Sequence, residues 1–196
     1  MKNRSKKKWI LIFTIVAVCC VVFILAPFLV RTFVVQAFKI PSGAMKPTLL
    51  IGDHILVDKL PKARDNIKRG DIIVFPFPQD PRKDFVKRVI GLPGEVIELR
   101  DKEIYLNNGH LKENYVIHTD QTIIPAEVRP RDNLGPIRVP PESVFVLGDN
   151  RDESFDSRFW GFVDINGIKG KVTRIYWSWD KEISGVRWDR IGQTVQ

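Results

Sequence analysis

The chain opens with a polar, basic segment and continues with a long apolar run. Residues 9–30 (WILIFTIVAVCCVVFILAPFLV) contain no charged side chain over 22 positions. As an α-helix this run would be about 33 Å long, slightly more than the ~30 Å hydrocarbon layer of a bilayer. The pattern predicts one N-terminal transmembrane helix over residues 9–30, preceded by a basic tail over residues 1–8.

After residue 39 the pattern changes to short apolar or alternating runs separated by Gly, Pro and Asn. Short runs rich in Val, Ile, Phe and Tyr are typical of β-strands. Strands are predicted at residues 54–60, 71–75, 85–92, 95–100, 103–107, 143–149 and 171–177. Asn107, Asn108 and Gly109 follow one of these runs and indicate a hairpin turn.

No segment after Phe38 keeps a helical period for three turns. We therefore predict a mainly β domain of antiparallel strands over residues 31–196, with a loop-rich insertion at about residues 108–142. Residues 74–84 and 123–143 are rich in Pro and are predicted to be loops. The predicted fold class is thus a mainly β domain preceded by one transmembrane α-helix.

The net charge of +8 at first suggests a nucleic-acid partner, but its distribution argues against one. Five cations lie within the first eight residues, which leaves +3 for the rest of the chain. A nucleic-acid-binding protein spreads its basic residues over the folded face that binds, so no nucleic-acid partner is expected. Cations beside a membrane span instead set its orientation, which predicts a cytoplasmic N-terminus and an extracytoplasmic domain beyond residue 31.

A removable leader is the alternative interpretation of the apolar run. Val35, Gln36 and Ala37 place small or modest side chains at the spacing that a leader-cleaving enzyme prefers. Removable apolar regions are usually about 7–15 residues long, so the longer run favours an uncut anchor. Cys19 and Cys20 are the only cysteines and both lie in the run, where apolar packing is expected and lipidation is the alternative. The predicted domain therefore has neither a disulfide framework nor a thiolate metal site.

Three sequence islands carry the candidate chemistry: IPSGAMKPTLLIGDHILV (40–57), FVKRVIGLPGEVI (85–97) and LGDNRDESFDSRFWGFV (147–163). A lone Gly-Asp-Asn would indicate no more than a surface turn. In this order, however, the islands resemble the successive motifs of type I signal peptidases, the membrane-anchored serine proteases that remove signal peptides from exported proteins. The predicted span followed by a β domain is similar as well, and the third island is highly specific.

The resemblance implies a Ser/Lys dyad, in which a serine attacks the scissile carbonyl and a neutral lysine is the general base. Lys87 matches the lysine, and Ala44 occupies the serine position, where the family pattern reads Pro-Ser-x-Ser-Met-x-Pro-Thr-Leu. An oxyanion hole is implied at the backbone N–H of Ala44 and the hydroxyl of Ser42. Ser42 is not expected to replace the nucleophile, because two residues of extended chain displace it by about 6–7 Å.

A general base at pH 7–9 needs a lysine pKa well below the ordinary value of about 10.4, and burial lowers it. Alternation along residues 85–92 places Lys87 on one face with Phe85 and Val89, which is the apolar setting that desolvation requires. An ordinary surface lysine is the alternative interpretation. By resemblance, Ser154 orients the lysine amine.

Other residues receive structural or binding roles. Asp156 and Arg158 are expected to hold the third island as an ion pair, and Met45 is a candidate for the floor of a pocket for small substrate side chains. Phe38, Phe75 and Phe77 are candidates for apolar surface near the bilayer. The tether from residue 30 to residue 44 reaches at most about 50 Å, so the site is expected near the membrane surface.

The three histidines do not support a different chemistry. Only His54 lies near an island, and His54, His110 and His118 lack the spacing of metal ligands. A Ser-His-Asp arrangement is therefore not expected, and neither a metal nor any other cofactor is required.

Together, these observations predict a signal peptidase I, a membrane-bound serine endopeptidase that acts on the signal peptides of preproteins. It would cut after small residues at the first and third positions before the bond. A cell membrane, a thylakoid or an organelle inner membrane fits the single-pass topology. Without a serine at Ala44, this form is expected to be inactive. An engineered nucleophile replacement, a natural pseudopeptidase that binds signal peptides without cleaving them, and a membrane-tethered structural β domain are the alternatives, and the otherwise intact machinery favours the first.

Overall fold

The computed structural model describes residues 13–16, 19, 21–23, 34–60 and 66–195. The predicted basic tail over residues 1–8 lies outside the described residues, as do Cys20 and most of the predicted span over residues 9–30. Residues 13–16 and 21–23 are helical. Within the described ranges, no helix is both long and apolar enough to cross a membrane.

The described part of the chain is built mainly from short strands. They are β1 (Val35–Lys39), β2 (Asp53–Asp58), β3 (Ile72–Phe77), β4 (Asp80–Gly91), β5 (Val96–Arg100), β6 (Glu103–Leu106), β7 (Gly109–His110), β8 (Leu134–Arg138), β9 (Ser143–Leu147), β10 (Val163–Asp164), β11 (Gly170–Asp180) and β12 (Gly185–Val186). A short helix, α1, spans Ser157–Trp160, and 3-10 turns span Ile165–Gly167 and Trp188–Arg190.

The strands form two antiparallel sheets. The larger follows the order β1-β2-β11-β3-β4-β9-β10, with β12 paired to β11, and the smaller follows β7-β6-β5-β8. The prediction of a mainly β, antiparallel fold is confirmed. Asn107 and Asn108 have φ values of 48° and 69°, as a tight hairpin turn between β6 and β7 requires.

Both faces of the larger sheet are buried at strand β3. Ile72 and Val74 pack into one apolar cluster with Met45, whereas Ile73 and Phe75 pack into another on the opposite face. Period-2 alternation thus gives β3 two buried faces, since successive side chains point to opposite sides of a sheet. A third cluster, around Ile97 and Phe145, lies where the smaller sheet meets the larger one.

The prediction of a loop over residues 74–84 was wrong, because this stretch belongs to the larger sheet, whereas the predicted loop over residues 123–143 was wrong only at Leu134–Arg138 and Ser143, which lie in strands. Residues 74–84 form most of the β3–β4 hairpin, and Leu134–Arg138 forms β8. Proline cannot donate a ladder hydrogen bond and is therefore confined to places where a strand lacks a neighbour. Pro136 lies in edge strand β8, and β11 pairs with β3 at Ile73 and Val74 but not at Pro76. Pro136 thus marks a sheet edge, and Pro76 marks a place where β3 has no paired neighbour on its β11 side.

A buried ion pair joins segments that are distant in the chain. Arg88 in β4 donates from Nε and Nη2 to the two carboxylate oxygens of Asp149, at 2.8 and 2.7 Å. Thr48 Oγ1 donates to the same carboxylate at 2.6 Å, and the Arg88 guanidinium lies 3.9 Å from the Tyr115 ring centroid. The side chains of Arg88 and Asp149 are 2% and 1% exposed, so neither charge has water as an alternative partner.

Replacing Asp149 with Asn should lower the free energy of unfolding by about 3–5 kcal/mol, because the Arg88 charge would stay buried without its counter-charge. Urea denaturation measures this change. Asp80→Asn is the matched control, since Asp80 pairs with Arg82, whose side chain is 89% exposed, and solvent screens that pair. Equal effects of the two substitutions would show that the Arg88–Asp149 pair does not hold the fold.

Candidate active site

A cleft of about 520 Å³ lies where the three sequence islands meet. It is bordered by the end of β1 and the loop after it, by β4, and by the segment before α1. Its lining residues are Phe38, Lys39, Ile40, Pro41, Ser42, Ala44, Met45, Asp84, Phe85, Val86, Lys87, Glu153 and Phe155. Most of this surface is apolar, and Ser42, Ala44 and Lys87 all border the same space.

The loop after β1 is held at both ends by backbone hydrogen bonds. The Ile40 N–H donates to the Asp53 carbonyl at 2.8 Å, and the Leu49 N–H donates to the Met45 carbonyl at 2.8 Å. Between them, the Ala44 carbonyl accepts a hydrogen bond from the Asn150 N–H at 3.1 Å. The loop is therefore fixed against the third island at Ala44, while Met45 is buried beneath it in the core.

Lys87 is buried at the cleft. Its residue surface is 5% exposed, and Nζ lies 5.7 Å from the ring centroid of Phe85. Burial lowers the pKa of Lys87 from its ordinary value to about 8, although the nearby Asp156 carboxylate opposes the shift. Phe85 and Val89 pack into one apolar cluster and Val86 into another, as the alternation along β4 predicts. A substantial fraction of Lys87 is thus neutral at mildly alkaline pH.

The third island surrounds a second buried ion pair. The Asp156 carboxylate accepts from Arg158 Nε and Nη2, at 2.8 and 2.9 Å, and from the Gly148 N–H at 3.1 Å. Burial alone would raise the pKa of Asp156, but the Arg158 charge and its hydrogen bonds hold that pKa below its ordinary value. Arg158 Nη1 also donates to the Arg131 carbonyl at 2.7 Å, which ties the island to the insertion.

Ser154 lies between this ion pair and the loop that carries Ala44. Its hydroxyl is buried and has no partner in hydrogen-bond geometry among the described residues, although it is near enough to Asp156 to help stabilise that carboxylate. A Cβ added at Gly148 would lie 2.3 Å from Ser154 Oγ and 2.4 Å from the Ala44 carbonyl oxygen. Only glycine therefore lets Ser154 and Ala44 approach the same point from two sides.

None of the three histidines is among the residues that line the cleft. His54 contacts the Tyr176 ring at 5.8 Å between centroids, and His110 Nε2 lies 2.7 Å from a Glu103 carboxylate oxygen. His118 Nδ1 lies 3.6 Å from Asp152. Within the described ranges, no three potential metal ligands come together.

The aromatic residues expected near the bilayer have different positions. Phe38 lines the cleft, but Phe75 is fully buried and Phe77 is 8% exposed, so these two do not form an exposed apolar surface. The reason is that other rings cover them, since Phe75 packs against Phe85 and Trp160, and Phe77 stacks on Phe85. Sequence reasoning left four residues of the site without a role. Thr48 joins the loop after β1 to Asp149, Asn150 contacts that loop at the Gly43 carbonyl, and Glu153 and Phe155 line the cleft. The sequence feature that could have indicated these four residues is that they lie within the first and third islands, close to the assigned positions.

An antiparallel β domain with an apolar cleft beside an edge strand is an architecture that binds extended peptides. Comparison with known proteins identifies its family. Residues 7–177 match the model of the signal peptidase, peptidase S26 family, and the chain belongs to that family.

Relatives in this family are named signal peptidase I. The one from Bacillus caldolyticus is 40% identical over 180 residues, which cover 90% of this chain and 93% of the relative. The one from Leptolyngbya laminosa is 39% identical over 156 residues, which cover 76% of this chain and 71% of the relative. The crystal structure of a signal peptidase I from Enterococcus faecalis is 37% identical and covers 55% of this chain and 97% of that chain, with a TM-score of 0.45.

Between pH 8 and about 10.5, the free energy of unfolding of the parent chain should rise with pH. Over this interval the unfolded chain still holds the Lys87 proton that the folded chain has released. Lys87→Met removes this contribution and should stabilise the chain at pH 7 by up to about 3 kcal/mol, since a buried cation is lost. Urea denaturation at a series of pH values tests both effects. Identical pH dependence of the two proteins would mean that Lys87 titrates as an exposed lysine.

Gly148→Ala should destabilise the chain by about 1–3 kcal/mol, because the added methyl group collides with Ser154 and the Ala44 carbonyl. Thermal unfolding should show a midpoint several degrees lower. Gly167→Ala is the control, because a Cβ there meets no atom within 4 Å. If both variants melt with the parent, the close approach at Gly148 is not a constraint.

Proposed function

We propose that the chain is a signal peptidase I, a membrane-bound serine-type endopeptidase that removes signal peptides from preproteins, with its nucleophile position occupied by Ala44. Family membership and the names of its relatives support this at the coarse level. The observation that carries it further is the meeting of Ala44 with Lys87, a buried lysine of pKa about 8, at one apolar cleft.

With a serine at position 44, the hydroxyl would attack the scissile carbonyl and pass its proton to neutral Lys87 Nζ. The tetrahedral oxyanion would accept hydrogen bonds from the backbone N–H at position 44 and from the Ser42 hydroxyl. The protonated lysine would then donate to the leaving amine, and a water molecule would release the acyl group by the same route in reverse. The Ser154 hydroxyl, which is buried beside Asp156, would orient the lysine amine.

Several features of the cleft fit a peptide with small side chains before the cut. Met45 lines the cleft beside Ala44 and is almost fully buried, as an apolar floor would be. The cleft also includes Phe38 and Lys39 of edge strand β1, so an extended peptide has backbone groups beside it. The proposed substrates are accordingly preproteins with small residues at the first and third positions before the bond.

The membrane topology is part of the proposal. Residues 9–30 would span the bilayer with residues 1–8 in the cytoplasm, and residues 31–196 would form the extracytoplasmic peptidase domain. Phe38 lines the cleft eight residues after the proposed span, a length of at most about 28 Å, so the site would lie close to the bilayer. The cell membrane, a thylakoid and an organelle inner membrane fit this equally, and neither nucleic acid nor a cofactor has a role.

Ala44 itself favours a second candidate, a pseudopeptidase that binds signal peptides without cutting them. Loss of the nucleophile alone costs a serine protease on the order of a millionfold in rate. The chain as it stands would then act by binding, whether its alanine is engineered or natural. The two candidate functions use the same cleft. They differ in whether Ala44→Ser, which adds the serine hydroxyl, gives cleavage.

Ala44→Ser should cleave a preprotein in liposomes, whereas the parent chain should not. Gel analysis of the processed product measures the cleavage rate of each chain. We expect the rate of the Ala44→Ser chain to be at least 10⁴-fold higher, because loss of the nucleophile slows a serine protease by a factor of this size or more. Absence of cleavage by the Ala44→Ser chain would overturn the peptidase proposal and leave the binding function.

Two further substitutions in the Ala44→Ser chain separate a lysine base from a histidine base. Lys87→Met should abolish cleavage because it removes the buried amine that borders the cleft with Ala44, whereas His54→Ala should retain it. Loss of cleavage in His54→Ala with retention in Lys87→Met would reverse the assignment.

A further inference from the structure

The third island presents two side chains to the cleft, Glu153 and Phe155. Exposure alternates along this segment: Glu153 and Phe155 are exposed, whereas Ser154 and Asp156 are buried. Both exposed residues line the cleft. The buried positions belong to the network around Lys87, so the two exposed ones are free to contact a bound peptide.

The Glu153 carboxylate is the uncompensated acid of the cleft lining. Apart from Lys87, the ionisable residues of that lining are Lys39, Asp84 and Glu153. Asp84 is paired with Lys169 Nζ at 2.7 Å, which offsets its charge. In the described part of the chain, Glu153 pairs with no cation, and its Oε2 accepts one hydrogen bond from Asn150 Nδ2, at 3.1 Å. A bound peptide therefore meets a negative charge on this wall.

Phe155 adds an aromatic face beside that charge. Its ring is fixed by Phe77 at 5.9 Å and by Phe159 at 5.4 Å, yet the residue stays 46% exposed. A carboxylate next to a partly exposed ring suits a side chain with an apolar stem and a cationic head. Arginine and lysine have this shape, since the stem covers the ring and the cation is attracted both to the ring face and to the carboxylate.

We propose that Glu153 and Phe155 form a subsite that selects an arginine or lysine of the substrate close to the scissile bond. The proposal rests on the proposed function, because it assumes that the cleft binds a peptide. Asn150 links the subsite to the site loop: its Nδ2 donates to Glu153 and to the Gly43 carbonyl, and its N–H donates to the Ala44 carbonyl. A cation bound at Glu153 is thus one side chain away from position 44.

The test is a binding assay with the Ala44 chain, which does not consume the peptide. The probes are fluorescent peptides that span a signal-peptide cleavage region. They are made in pairs that carry either arginine or citrulline at a single position. The positions run from the fourth residue before the bond to the third after it. The first and third residues before the bond stay alanine. Citrulline has nearly the shape of arginine without its charge. At one position, we expect the arginine peptide to bind about fivefold more tightly, and less so at high salt.

Glu153→Gln should abolish this preference, because it removes the charge and keeps an oxygen that can accept from Asn150. Asp84→Asn is the matched control and should retain the preference, since its charge is already offset by Lys169. Phe155→Ala should weaken binding of both peptides at that position. Equal binding of arginine and citrulline at every position, or a preference that survives Glu153→Gln, overturns the proposal.

Cleavage by the Ala44→Ser chain separates this inference from the proposed function. If that chain cleaves the citrulline peptides and arginine gives no advantage at any position, the subsite is wrong and the peptidase assignment stands. If it cleaves no peptide while the Ala44 chain binds arginine through Glu153, the subsite stands and the peptidase assignment is wrong. Failure of the Ala44 chain to bind any of the peptides contradicts the subsite directly.

Discussion

The buried pairing of Arg88 with Asp149 is the constraint on which the site geometry depends. A desolvated guanidinium needs a partner with matching geometry, and the two-point contact with Asp149 supplies it. Because Thr48 donates to the same carboxylate, the loop after β1, strand β4 and the third island are drawn to one place. These three segments border the cleft. The ion pair that neutralises the buried Arg88 charge therefore also brings the parts of the site together.

Adjacent residues of β4 show two opposite outcomes for a buried cation. Arg88 lies against Asp149 and keeps its charge, whereas Lys87 makes no ion pair among the described residues and its pKa falls to about 8. The carboxylate that opposes this shift most strongly, Asp156, is already engaged by Arg158 and the Gly148 N–H. An Asp156 free of Arg158 would attract the lysine proton more strongly and raise the lysine pKa. The second ion pair thus limits how far Asp156 opposes desolvation.

Local patterns predicted much of the fold. Alternation and turn residues indicated most strands of the larger sheet, the β6–β7 hairpin at Asn107 and Asn108, and the antiparallel β class. They failed where a strand contains proline, as at Pro76 and Pro136, because the tolerance of a strand for proline depends on which neighbours it has. Sheet order is a non-local property, and no local pattern along the chain reveals it.

The candidate site shows the same division. The resemblance singled out Ala44, Lys87, Ser42 and Ser154, all of which the structure brings to one region. It did not single out Glu153 and Phe155, because their exposure becomes visible only once the alternating residues Ser154 and Asp156 are seen to be buried. Asn150 and Thr48 act through partners about 100 residues away in the chain, so their contacts become visible only when the islands are placed together.

The proposed base for a hydroxyl at position 44 is the desolvated amine of Lys87. The pH dependence of kcat/KM for the Ala44→Ser chain tests it most directly, because that profile reports the pKa of the essential base in the free protein. We expect activity that rises with pH through an inflection near 8, the pKa of Lys87. An inflection near 6.5, the ordinary pKa of histidine, or a rate that does not change between pH 6 and 9 would contradict it.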